Sequence, residues 1–149
     1  MFKKLLCLLL FASAAMANAQ ERKTYLPVHL YSQCDNDSVG QRLAYKVREG
    51  LRRSSSMKVA DNYSESLIMM SLVCLDPSTG DNGTISRYSY SITFLNNKGY
   101  YDYQLTHGVG NCGTLRVDEC ADRLVAGIDS EVGKLKQRIA DGSFKPFNP

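Results

Sequence analysis

The sequence predicts an α+β domain: a mostly antiparallel sheet of four to five strands with two helices packed on one face. Three observations predict it. Several short runs alternate apolar and polar residues, the period of a half-buried strand. Two other stretches place apolar residues three and four apart, the period of an amphipathic helix. The order along the chain is strand, helix, short strand, three-strand meander, helix, and helices gathered on one side of an antiparallel sheet characterise this class.

The chain has 149 residues and begins MFKKLLCLLLFASAAMANAQ. Lys3 and Lys4 precede an apolar run from Leu5 to Ala15, and Ala17-Asn18-Ala19 follows. A basic start, a short apolar stretch and an A-x-A site read as a secretory signal peptide, residues 1–19, cleaved between Ala19 and Gln20. The run is shorter than the roughly 20 apolar residues that span a bilayer. Cys7 sits inside the run behind Leu6, where a lipobox carries a small residue, so it is expected to leave with the signal. The leader is of a bacterial kind, which places the mature protein in the periplasm or outside the cell.

What remains after residue 19 fits a single domain, residues 20–140, followed by a flexible tail, residues 141–149. Removing Lys3 and Lys4 leaves 16 basic against 15 acidic residues, a net charge of +1. That balance speaks against nucleic acid, whose binding draws on many Lys and Arg contacts to phosphate. No later apolar stretch is long enough for a transmembrane segment in the mature chain. Three N-x-S/T matches, at Asn36, Asn62 and Asn82, read as chance in a Ser- and Asn-rich sequence.

Thr24 to Ser32 alternates Leu26, Val28 and Leu30 against Tyr25, Pro27, His29 and Tyr31. This is a strand, and Pro27 puts it at an edge or delays its start, since proline cannot donate to a ladder. Asp35 to Ser38 then offers helix caps. Val39, Leu43, Val47 and Leu51 form one apolar stripe, with Arg42, Lys46, Glu49 and Arg53 on another face. The basic face reads as solvated, as charged faces mostly are. Met57 to Asp61 is a short strand. Ser66 to Asp76 is nearly all apolar and predicts a central strand covered on much of both faces.

Pro77 to Gly83 is a turn-rich loop. The next strand sets Tyr88, Tyr90, Ile92 and Phe94 against Ile85, Arg87, Ser89, Ser91 and Thr93. Asn96 to Gly99 makes a hairpin turn. The returning strand points Tyr101, Tyr103 and Leu105 inward and Tyr100, Asp102, Gln104 and Thr106 outward. The last element, Val117 to Ile139, keeps a three-to-four apolar spacing, with Asp118 and Glu119 in its first turn and basic residues in its last. Both placements suit the helix dipole.

Four cysteines remain in the mature chain: Cys34, Cys74, Cys112 and Cys120. An even count in an oxidising compartment reads as two disulfides. There is no Cys-x-x-Cys for redox chemistry and no Cys/His spacing for zinc, so no metal and no cofactor are expected. A Cys112–Cys120 bridge would pin the start of the last helix to the end of the last strand. The partner pair, Cys34 and Cys74, falls at opposite sheet edges if the strands alternate up and down. Either the topology differs, or the pairs are Cys74–Cys112 and Cys34–Cys120.

Hydrolytic signatures such as G-x-S-x-G and H-E-x-x-H are missing from the sequence. Gly108, Gly110 and Gly113 match G-x-G-x-x-G, but outside the βαβ unit that a dinucleotide needs; they read as tight-turn residues. Asp76 with Asp81, and Asp118 with Asp122, are explained by turns and caps. The tyrosines at 88, 90, 100, 101 and 103 read as core and rim. An enzyme is therefore not expected. The polar hairpin face, Arg87, Ser89, Ser91, Thr93, Asp102, Gln104 and Thr106, is the candidate binding surface. Arg87 with Asp102 is its expected focus, since arginine is enriched at interface hot spots.

The segments LPVHLY, VGQRLAYKVREGLRRSSSMKVAD, SLIMMSLVCLD and CADRLVAGIDSEVGKL, in this order, resemble the small periplasmic α+β domain of outer-membrane penicillin-binding-protein activators and the N-terminal domain of the Tol–Pal propeller protein. The chain is also similar to small exported proteobacterial proteins of unassigned function. The resemblance covers most of the mature chain at the level of pattern, and the cysteines are not part of it. It implies a binding or adaptor module that contacts a protein or glycan of the cell envelope. The alternative is an inhibitor or immunity protein against a toxin or hydrolase, working through an exposed loop such as Pro77–Gly83.

Overall fold

The computed structural model describes residues 25–77, 83–95 and 103–144. The expected signal peptide, the expected hairpin turn at 96–99, Tyr100 to Asp102 and the last five residues lie outside them. The elements are β1 (Leu26–Gln33), α1 (Ser38–Arg53), β2 (Met57–Val59), β3 (Ile68–Leu75), β4 (Ile85–Phe94), β5 (Tyr103–Gly113) and α2 (Val117–Ala140). Short 3-10 turns at Tyr63–Glu65 and Thr114–Arg116 link β2 to β3 and β5 to α2. The five strands form one sheet in the order β2-β1-β3-β4-β5. The sheet is mixed. β1 runs parallel to β2 and β3, while the longer β3–β4 and β4–β5 ladders are antiparallel.

Both helices pack on one face, and this α+β arrangement is the predicted class. The shared core takes Val28 and Leu30 from β1, Ile68, Met70 and Leu72 from β3, and Ile92 from β4. α1 closes it with Val39, Leu43, Val47 and Leu51, and α2 with Val117, Leu124, Ile128, Val132 and Leu135. These are the stripes that the helical period picked out. Ile139 departs from the pattern and stays exposed near the end of α2.

Three strand-level expectations need correction. β1 lies inside the sheet, between β2 and β3, so Pro27 does not mark an edge. The β1–β3 register starts one residue later, at Val28 with Ile68, and Pro27 contributes only its carbonyl, which accepts from Leu67 N at 2.9 Å. The missing N–H is therefore placed where the β3 ladder has not begun. β3 is central but is covered on one face only, because both helices took the same side. Its other face leaves Val73 and Leu75 exposed. Finally, β5 runs on to Gly113 through the glycines assigned to a turn. A bulge interrupts the β4–β5 register at Ile92/Thr93, so that Thr93 pairs with Gln104 but Ile92 pairs with Thr106. A single inserted residue moves everything beyond it to the other face. Thr106 therefore shares the core face with buried Ile92, against its predicted outward position.

The glycines of β5 have a packing role instead. Gly108 and Gly110 lie in register with Tyr90 and Tyr88. A β-carbon at Gly108 would stand 2.7 Å from the Tyr90 ring, and one at Gly110 would stand 2.6 Å from Cζ of Tyr88. The two rings lie over bare backbone, and a side chain there would displace them.

The helix starts are fixed by different means. Asp37 is the cap of α1 and accepts from Gly40 N at 2.8 Å, which satisfies one orphan amide of the first turn. α2 has no capping side chain. It is held instead by the Cys112–Cys120 disulfide, whose Cα atoms are 6.1 Å apart. The second bridge is Cys34–Cys74, with Cα atoms 4.7 Å apart. The antiparallel picture had separated these two residues. With β1 parallel to β3, both strands end together, and Gln33 pairs with Val73 one step before the bridge.

The helices are tied to each other by Lys46 and Asp118 at 2.7 Å. The hydrogen bond from Lys46, and then its charge, hold the Asp118 carboxyl below its ordinary pKa. At the far end of the sheet, Phe144 packs edge-on against Phe94 at 5.2 Å and Tyr103 at 5.9 Å. The domain thus extends four residues past Ala140 into the segment predicted to be a tail.

Candidate functional site

The sheet face opposite the helices is built from every second residue of four strands. Because paired residues share a face, the register arranges them in rows. One row runs His29, Met69, Thr93, Gln104. The next runs Tyr31, Ser71, Ser91, His107, and the third Gln33, Val73, Ser89, Val109. Leu75, Arg87 and Asn111 make a shorter fourth row beyond β1. No helix of the described residues covers this face, and both chemistries of side chain are present on it.

Of the predicted binding residues, Arg87, Ser89, Ser91, Thr93 and Gln104 all lie here, in four adjacent rows. Thr106 lies on the opposite face, as above, and Asp102 is outside the described residues. Arg87 stands in register with Asn111. Tyr103, next in sequence to Asp102, pairs with Phe94, seven residues along β4 and about 23 Å away at strand rise. Arg87 makes no ion pair among the described residues. It is exposed, and its row neighbours, Leu75 and Asn111, carry no charge to meet it.

The pattern reading missed half of this face. The pattern puts His29 and Tyr31 on an edge or late-starting strand and Met69, Val73 and Leu75 on a doubly covered one, and it reads the glycines around Val109 and Asn111 as turn residues. The signal for β5 was present, since apolar or glycine positions continue at period two as far as Cys112. The side of β3 left open could not be read from a run that is apolar at nearly every position.

Tyr88 and Tyr90 face the helices, half-buried over the β5 glycines, and belong to the core rather than to a stacking surface. Of the carboxylates weighed as possible pairs, Asp118 bonds Lys46 and Asp81 lies outside the described residues; Glu119, beside Asp118, bonds Arg116 and Arg123. Glu119 lies below its ordinary pKa, chiefly through the Arg116 hydrogen bond, and this shift is structural. Among the described residues no group of three or more His, Cys, Asp or Glu side chains could hold a metal ion. A shallow cleft of about 380 Å³ beside β2 is lined by Tyr25, Arg52, Lys58 and Asp61 among others, with neither histidine nor cysteine. No described helix is long and apolar enough to cross a membrane. The two disulfides are consistent with an exported protein.

No protein-family model matches the chain, and no curated protein matches it. Among solved structures, the hypothetical protein CT253 from Chlamydia trachomatis is similar over 73% of this chain and 98% of its own, with 6% identity and a TM-score of 0.52. At that identity the likeness shows the fold alone. A PelC dodecamer from Paraburkholderia phytofirmans matches over 74% of this chain and 90% of its own, with 11% identity and a TM-score of 0.45.

Proposed function

We propose that the protein is a non-enzymatic binding or adaptor module of the bacterial envelope, and that the open sheet face is its contact surface. The observation that supports this reading most is Arg87. It stands exposed and without an ion-pair partner among the described residues, in a row with Leu75 and Asn111. Small Ser89 leaves its guanidinium reachable from one side. Exposed apolar Val73 and Leu75 flank it on β3. Arginine is enriched at interface hot spots, and this one stands beside exposed apolar side chains rather than among other charges. The partner is a protein or glycan of the envelope.

Charge reversal tests the site. Tagged Arg87→Glu protein should melt within a few degrees of wild type, because a solvated surface arginine contributes little to stability. It should nevertheless lose most of the partner recovered by wild type from an envelope extract. Lys134→Glu on the outer side of α2 serves as the control and should retain capture. If Arg87→Glu captures as well as wild type, the open face is not the contact surface. Treating the extract with protease separates a protein partner from a glycan.

The reading also requires export. The leader is then removed after Ala19, and the mature protein resides in the periplasm. Intact-mass spectrometry of protein released from the periplasm should give an N-terminus at Gln20. Recovery of a chain that still begins at Met1, or one acylated at Cys7, would overturn the assignment.

A further inference from the structure

We propose that the protein forms a two-fold dimer in which the β5 strands of two copies pair antiparallel, joining the two sheets into one. The argument starts from the edges of the sheet. β2 and β5 are its outer strands. β2 is three residues long and carries Lys58, so little backbone is offered there. β5 is the opposite case. It spans 11 residues, pairs only with β4 among the described residues, and contains no Lys, Arg, Asp, Glu or Pro. Natural sheets blunt a long edge with lysine, proline or inward charge, since an unprotected row of N–H and C=O groups is a template for another strand. β5 carries none of these, and its one bulge lies near its start, opposite Ile92/Thr93, which leaves Thr106 to Gly113 in regular register as an open edge.

A second observation falls on the same edge. Of the exposed large apolar side chains in the described structure, the two most open are Val109, at 84%, and Leu115, at 98%. Val109 projects from β5 on the open face, and Leu115 sits in the turn that directly follows the strand. Exposed apolar side chains in line with an unpaired backbone edge are what strand addition covers, the backbone supplying affinity and the side chains register.

The occupant follows from charge and symmetry. A charged peptide would find no complementary charge along β5. The strand itself brings none, so self-pairing sets no like charges opposite each other. A two-fold axis normal to the sheet relates two antiparallel copies of one strand and makes the contact isologous. That operator leaves all four helices on one side and merges the two open faces, so the proposal goes beyond the partner reading and does not depend on it.

Sedimentation velocity of the purified, oxidised protein is the first test. A dimer mass at about 0.1 mM is expected, a concentration that populates even a weak specific association. A single-chain mass at that concentration would refute the proposal. Val109→Lys places a cation on the edge of each copy and should give monomer that melts where wild type diluted to monomer melts. Leu75→Lys, on the same face but on β3, should leave the dimer intact. Dissociation by Leu75→Lys would move the contact from the edge to the open face and overturn the assignment. Hydrogen exchange keeps the question answerable if Val109→Lys fails to fold. Amides of residues 103–113 should exchange faster when wild type is diluted to monomer, and equal exchange in the two states would reject β5 pairing.

Discussion

Replacing Cys34 and Cys74 together by alanine is expected to cost about 4 kcal/mol of stability, the larger of the two disulfide effects. The chain-entropy model sets the size: the bridge closes a separation of 40 residues, against 8 for Cys112–Cys120, for which the same relation gives about 2.5 kcal/mol. For a domain of this length the larger loss lowers the melting temperature by roughly 15 °C. The structure gives the bridge a further duty, because it joins the adjoining ends of β1 and β3 in the middle of the sheet. Calorimetry of the two double-alanine variants checks both size and order. A smaller loss from Cys34/Cys74 than from Cys112/Cys120 would sink the account.

Leu43→Ala should destabilise by about 2–5 kcal/mol, the cost of lost burial plus the cavity left behind. Leu43 is fully buried in the middle of α1, and the core around it is drawn from the sheet and both helices. Collapse into the space would have to move several elements at once, which favours the upper half of the range. Leu115→Ala is the matched comparison. The same side chain is almost wholly exposed there, so its removal should change stability by less than about 0.5 kcal/mol. Urea denaturation measures both, and similar losses at the two sites would contradict the core as described.

The elements and the core were legible because period decides them. Val39, Leu43, Val47 and Leu51 announce one buried stripe, and Tyr88, Tyr90, Ile92 and Phe94 announce one strand face. Closeness in sequence suggested Cys112 with Cys120 but left Cys74–Cys112 and Cys34–Cys120 open, and the structure decides for the first. Strand order was not legible. Period says which side of β1 is buried but carries nothing about which strand lies beside it, and the Cys34–Cys74 pairing depended on that neighbour. The open face was legible in part for the same reason. Arg87, Ser89, Ser91 and Thr93 sit on an alternating strand, whereas Val73 and Leu75 sit in a run with no polar side to mark the solvent. Thr106 was misplaced by one bulged residue, which leaves no mark in the pattern of side chains.

The parallel seating of β1 against β3 has a consequence for the order in which the molecule comes together. β3, β4 and β5 can zip as neighbours along the chain, and Cys112 meets Cys120 by closing a short loop. β1 must instead wait for a strand some forty residues further on, across α1 and β2, and closing so long a loop carries a larger entropic barrier. The two bridges are thus chronometers of different events. Oxidation of Cys112 with Cys120 reports a local contact between a strand and the helix after it. Oxidation of Cys34 with Cys74 reports the moment at which the first strand of the chain has found its place in the middle of the finished sheet.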